Sequence, residues 1–137
     1  MDVIKKLTAI SASLLVCWLW FAPQASAQTT LEIKKADRLF SGFWVNKKTK
    51  RHLSIGVEES EYMLINDWTG NTQETAIVDA YKAFVKGNKL VMPPNSEHHT
   101  PYSEMQIINK KLFYITKLKD IEGKSIVEKE VFTRLSR

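Results

Sequence analysis

From position 41 onward, short stretches rich in β-branched and aromatic residues alternate with clusters of Gly, Asn, Asp and Lys. About eight such stretches occur, at 41–46, 52–58, 62–67, 75–86, 89–92, 104–108, 112–118 and 125–135. Apolar and polar positions alternate within them with a period of two, which is typical of half-buried strands rather than helices. Most links have two to six residues, which favours antiparallel neighbours joined in sequence. The pattern predicts an all-β, antiparallel up-and-down β-barrel, with a two-layered sandwich as the alternative because the link 93–102 is long.

Residues 1–27 have the organisation of a secretory signal peptide. Lys5 and Lys6 precede an apolar run over 7–22, and Ala25-Ser26-Ala27 supplies a small-x-small cleavage site. The run is too short for a membrane span of about 20 residues, so no transmembrane segment is expected after cleavage. We predict an exported protein of bacterial type, periplasmic or extracellular. Lipidation of Cys17 is the open alternative, because Leu14-Leu15-Val16-Cys17 loosely resembles a lipobox.

One segment before the strands has a helical pattern. The apolar residues of this segment could cover the open end of the barrel as a lid, and a frayed arm is the alternative. They are Leu31, Ile33, Ala36, Leu39 and Phe40. We therefore divide the chain into a signal peptide at 1–27, an arm or short helix at 28–40 and a barrel at 41–137.

Composition narrows the chemistry of the exported part. The only Cys of the chain lies in the signal peptide, so residues 28–137 have no disulfide, thiol nucleophile or Cys-rich zinc site. The full chain has a net charge of +5, and its one basic run, at 47–51, lacks interleaved aromatic residues. This argues against a nucleic-acid partner. We interpret the run as a solvated turn, with contact to an anionic surface as the alternative.

Two short motifs at opposite ends of the predicted barrel carry a family resemblance. Gly42-Phe43-Trp44 opens the first strand, and Phe132-Thr133-Arg134 ends the last. The combination resembles small bacterial lipocalin-like domains of the calycin superfamily, in which the tryptophan of a Gly-x-Trp motif packs against a basic residue from the last strand. The resemblance implies that Gly42, Trp44 and Arg134 close one end of the barrel. A guanidinium on an indole face gains roughly 0.5–2 kcal/mol. The alternative is that Trp44 is a core aromatic of another sheet protein.

Candidates for catalysis or metal binding are weak. Glu97, His98 and His99 offer metal-ligating atoms, but adjacent strand residues point in opposite directions and prolines flank this loop. The acidic turns at 58–61 and 120–122 are typical of solvated surface, and no nucleophile motif or phosphate-binding loop is present. We predict a protein that is not an enzyme and that has no cofactor and no metal.

The barrel interior is then the candidate binding site. An eight-stranded barrel has room either for its own side chains or for one small ligand. We predict that a small hydrophobic or amphipathic molecule binds there and that Tyr62, Tyr81, Tyr114, Leu64 and Met105 line the cup. The alternative function is that of a protein-binding barrel, such as a protease inhibitor or an immunity-type antagonist, which contacts its partner through loops such as 91–102.

Overall fold

The computed structural model describes residues 30–59, 61–71 and 77–136. The predicted signal peptide lies outside the described residues. The described part forms a short helix followed by eight strands: α1 (Thr30–Phe40), β1 (Gly42–Asn46), β2 (Arg51–Glu58), β3 (Tyr62–Thr69), β4 (Asp79–Lys86), β5 (Lys89–Met92), β6 (Tyr102–Ile108), β7 (Lys111–Lys119) and β8 (Ser125–Ser136). Each strand pairs antiparallel with the next, and β8 pairs with β1 to close the ring. The predicted fold class is therefore confirmed, and the sandwich alternative is excluded.

Turn chemistry explains why the tight links form where they do. Asn109 and Lys110 both have positive φ, 51° and 63°, as a two-residue type I′ hairpin requires. Gly87 has φ 63° between β4 and β5, a conformation that glycine adopts without strain. These hairpins and the turn between β2 and β3 lie at one end of the barrel. The links 47–50, 93–101 and 120–124 lie at the other end, which we call the open end.

Trp44 and Arg134 meet at the first of these two ends, the closed end. They are paired across β1 and β8, and the Arg134 guanidinium lies 4.3 Å from the centroid of the indole ring. The indole Nε1 donates to the carbonyl of Phe40 at 2.8 Å, while Arg134 donates to the carbonyls of Leu39 and Ser41. Gly42 has φ 126°, which a residue with a side chain rarely adopts.

The helix lies at this same closed end. Ile33, Ala36 and Phe40 are buried on its inner face, and it packs against β2, β3 and β4. The expected placement of this segment as a lid over the open end is therefore wrong. The physical reason is that its last residues are tied to Trp44 and Arg134 through backbone carbonyls, which fixes α1 beside the start of β1.

The barrel is packed solid from the closed end to beyond its middle. Its buried cluster contains Ala36, Phe40, Trp44, Leu53, Ile55, Met63, Ile65, Ala83, Leu90, Met92, Met105, Leu112, Tyr114 and Phe132. Close-packed apolar side chains of this kind supply most of the stability of a small domain. Among the described residues, this packing leaves the open end as the place for a ligand.

Candidate functional site

A layer of polar side chains lies above the apolar core, toward the open end. Arg51 at the start of β2 points inward with Leu53 and Ile55, because side chains two residues apart share one face of a strand. Its Nε donates to Asp67 of β3 at 3.0 Å, and its two terminal nitrogens contact Asp67 and Glu130 of β8. Asn46 donates to the other oxygen of Glu130 at 3.0 Å. Four strands are thus joined through one guanidinium and its partners.

The electrostatics of this layer hold Arg51 in its charged form. Burial alone would lower the pKa of Arg51, but the hydrogen bond and charge of Asp67, together with the charge of Glu130, raise it instead. The guanidinium also lies 4.6 Å from the ring centroid of Tyr114. These three hydrogen bonds use three of the five N–H groups of Arg51. A side-chain hydrogen bond also links Arg51 to the Tyr114 hydroxyl, which leaves at most one N–H group for a ligand oxygen.

A cleft of about 860 Å³ opens beside this layer. One wall is β4, and the opposite wall is the link from β5 to β6. Its lining consists of Arg51, Asp79, Ala80, Tyr81, Lys82, Phe84, Met92, Pro93, Pro94, Asn95, His98, Thr100, Pro101, Ser103, Tyr114 and Thr116. Small-molecule sites typically enclose about 300–1,000 Å³ and combine apolar walls with a few polar groups. The volume and the mixed lining both fit that description.

Tyrosine hydroxyls supply polar groups on the apolar walls. Burial, with the charges of Asp79 and Asp67, raises the pKa of Tyr81 to about 12. The Tyr81 hydroxyl is therefore protonated at neutral pH, and it has no hydrogen-bond partner among the described residues. Burial also raises the pKa of Tyr114, whose hydroxyl contacts the sulfur of Met92 at 3.8 Å. Tyr81 is thus the donor best placed to bind a ligand on the β4 side.

The structure brings together only part of the predicted lining. Tyr81 and Tyr114 lie in the cleft, whereas Met105 is fully buried in the packed core below it. Tyr62 and Leu64 alternate with the buried Met63 and Ile65, so they lie on the outer face of β3. Tyr62 there contacts Phe84 and the Nζ of Lys82. Neither Tyr62 nor Leu64 lines the interior, which corrects the predicted cup.

Apolar alternation alone does not identify the three charged residues of the polar layer, Arg51, Asp67 and Glu130. Each of them, however, lies two positions from an apolar residue that faces inward, and side chains two positions apart share one face of a strand. These apolar residues are Leu53, Ile65 and Phe132 respectively. Oppositely charged residues at inward-facing positions of three strands are the sequence signal that would have identified this layer. No group of three or more His, Cys, Asp or Glu side chains that could hold a metal occurs within 30–59, 61–71 and 77–136.

Comparisons with protein-family models, with curated proteins and with solved structures find no match to this chain. In the part that the structure describes, no helix combines the length and apolar character that a membrane crossing needs.

Proposed function

We propose that the chain is an exported, non-enzymatic binding protein that holds a small amphipathic molecule in the cleft at the open end of its barrel. The observation that carries this proposal is the cleft itself, because it joins the apolar surfaces of Tyr81, Met92 and Tyr114 to the guanidinium of Arg51. The N-terminal signal pattern supports export. The resemblance to lipocalin-like domains agrees with a ligand-binding role.

The charges around the cleft favour a ligand whose polar end is neutral. Arg51 is already compensated by Asp67 and Glu130, and the cleft lining adds one carboxylate, Asp79, and one ammonium group, Lys82. A carboxylate ligand would therefore find no uncompensated cation at Arg51, whereas a carbonyl or hydroxyl oxygen can accept a hydrogen bond there without needing one. The binding energy then comes from burial of the apolar part, at about 25 cal/mol per Å².

A neutral fluorescent dye tests the proposal. Nile red should bind the wild-type protein with a blue-shifted, enhanced emission. The variant Thr116→Phe should lose this binding by about tenfold or more, because Thr116 lines the cleft and a phenyl ring would fill it. The matched variant Thr116→Ser keeps the hydroxyl that accepts a hydrogen bond from Ser103 and leaves the cleft open, so it should bind within about threefold of wild type.

Two results would contradict the proposal. One is a wild-type protein that leaves Nile red emission unchanged. The other is binding that survives equally in Thr116→Phe, since the dye would then be on another surface.

A further inference from the structure

The barrel wall has an open seam between β4 and β5. Only three residue pairs join these strands: Phe84 with Val91, Val85 with Leu90, and Lys86 with Lys89. The first part of β4, Asp79–Ala83, pairs with β3 on one side and with no described strand on the other. The cleft lies along this same stretch of β4.

The register shows which backbone groups face the seam. Lys86 and Lys89 close a two-residue hairpin and therefore form a hydrogen-bonded pair, so the N–H and C=O groups of even-numbered β4 residues point toward β5. The pairing of β3 leads to the same assignment. Gly70 donates to Lys50 at 3.1 Å, so the backbone groups of even-numbered β3 residues face β2 and those of odd-numbered ones face β4. The odd-numbered β4 residues paired with them therefore face β3, and the even-numbered ones face away from it. The N–H and C=O groups of Ala80 and Lys82 consequently point across the seam. Both residues are exposed, and no described residue bonds to these groups.

The opposite wall cannot complete the ladder. Pro93 and Pro94 follow β5 directly, and neither has an N–H group to donate. Beyond them Asn95 and Thr100 exchange two backbone hydrogen bonds, each 3.0 Å long, so this segment folds back on itself. The polar groups of Ala80 and Lys82 are therefore left beside a partly apolar cleft. An unpaired strand edge is a template for another extended backbone.

We propose that the ligand of the cleft is a short peptide in extended conformation that pairs with β4 at Ala80 and Lys82. This inference rests on the proposed function and names its ligand class. Alternate side chains of the peptide would enter the cleft between Tyr81, Met92 and Tyr114, and the others would face outward beside Phe84. The unpaired stretch Asp79–Ala83 sets the paired length at about five residues. Peptide carbonyls are also the neutral acceptors that the cleft favours.

A small peptide library tests the inference. Its members are acetylated, amidated pentapeptides with threonine at the odd positions and leucine, phenylalanine, tyrosine or valine at the even ones. In ¹H–¹⁵N spectra of the protein, at least one member should shift the Ala80 and Lys82 amide signals and slow their hydrogen exchange. N-methylation of the amides that face β4 should weaken binding by about tenfold or more, and N-methylation of the alternate amides by less than about threefold.

Matched protein variants separate backbone pairing from simple burial. Lys82→Pro removes an N–H that no described residue uses, so the barrel should fold, while peptide affinity should fall by about tenfold or more. Lys82→Ala removes the side chain and keeps the N–H, and it should bind the peptide like wild type. Nile red should bind both variants, because the cleft remains.

Four outcomes would contradict the peptide inference. If Nile red binds and no peptide does, the peptide class is wrong and the proposed function stands; if neither binds, both fall. Equal tolerance of the two N-methylation patterns would mean burial without strand pairing. Protection of Ala80 and Lys82 in a dimer, without peptide, would mean that a second copy occupies the edge.

Discussion

At the scale of single residues, Arg51 holds the polar layer together through its contacts with Asp67 and Glu130. Its guanidinium is three-quarters buried, with 22% of the side chain exposed, and Asp67 is 9% exposed. Arg51→Met would leave Asp67 buried without its cation, so we expect a loss of about 2–3 kcal/mol in the free energy of unfolding. The value lies below the loss for a fully buried pair because water reaches part of Arg51. Urea denaturation measures it.

The double variant Arg51→Met with Asp67→Leu is the control for this prediction. It removes both members of the pair and should recover at least about half of the loss, since an apolar replacement of an ion pair is often nearly neutral. Lys47→Met, on an exposed turn, should unfold like wild type. Strictly additive losses in the double variant would show that Arg51 and Asp67 do not act as a pair.

At the scale of elements, the hairpin between β6 and β7 holds a lysine in a conformation that suits glycine. Lys110 has φ 63° at the second position of the turn, where a side chain costs energy in the left-handed region. We expect Lys110→Gly to stabilise the protein by about 0.5–1 kcal/mol, while Lys110→Ala should stay near wild type. Thermal unfolding measures both, and a destabilised Lys110→Gly would contradict the turn assignment.

The sequence predicts the strands well and the inner face of two of them poorly. Turn residues and period-two alternation place the eight strands close to their observed bounds, because these signals are local. On β3 both faces carry apolar residues, Tyr62 and Leu64 outside against Met63 and Ile65 inside. Because Asp67 is charged, the face that it shares with Met63 and Ile65 is easily assigned to the solvent side. A buried carboxylate is understood only through Arg51, which comes from another strand.

The inner face of β8 is also hard to predict from apolar alternation. Val127, Val131 and Leu135 are exposed, whereas Glu130 faces the interior with Phe132 and Arg134. Apolar alternation therefore selects the wrong face, and Val131 and Thr133, which it would place inside, lie outside. The Trp44–Arg134 contact is different, because it is predicted from the positions of two motifs in the first and last strands and not from apolar alternation. The cleft could not be predicted, since it depends on where the β4–β5 ladder stops.

At the scale of the whole molecule, ring closure and binding space are related. The apolar core fills the barrel from the closed end, and α1 seals that end, so the molecule can open only where the wall lacks hydrogen bonds. The seam is one such place, because Pro93 and Pro94 stop β5 four residues after it begins. Residues 125–132 of β8 also pair with β7 and with no described strand on the β1 side. Within the described residues, the barrel of sequential hairpins thus has a free strand edge directly beside the cleft described above.

Amide hydrogen exchange of the free protein tests this view of the ring. The Tyr81 and Ala83 amides face β3 and should exchange slowly, whereas those of Ala80 and Lys82 face the seam and should exchange at least about a hundredfold faster. Phe84 faces the same side but is paired with Val91, so its amide should be as slow as that of Ala83. Residue-resolved exchange by NMR at neutral pH measures all five. Uniform protection from Ala80 to Phe84 would mean that the seam is covered, and the free edge would then be an incorrect description of this barrel.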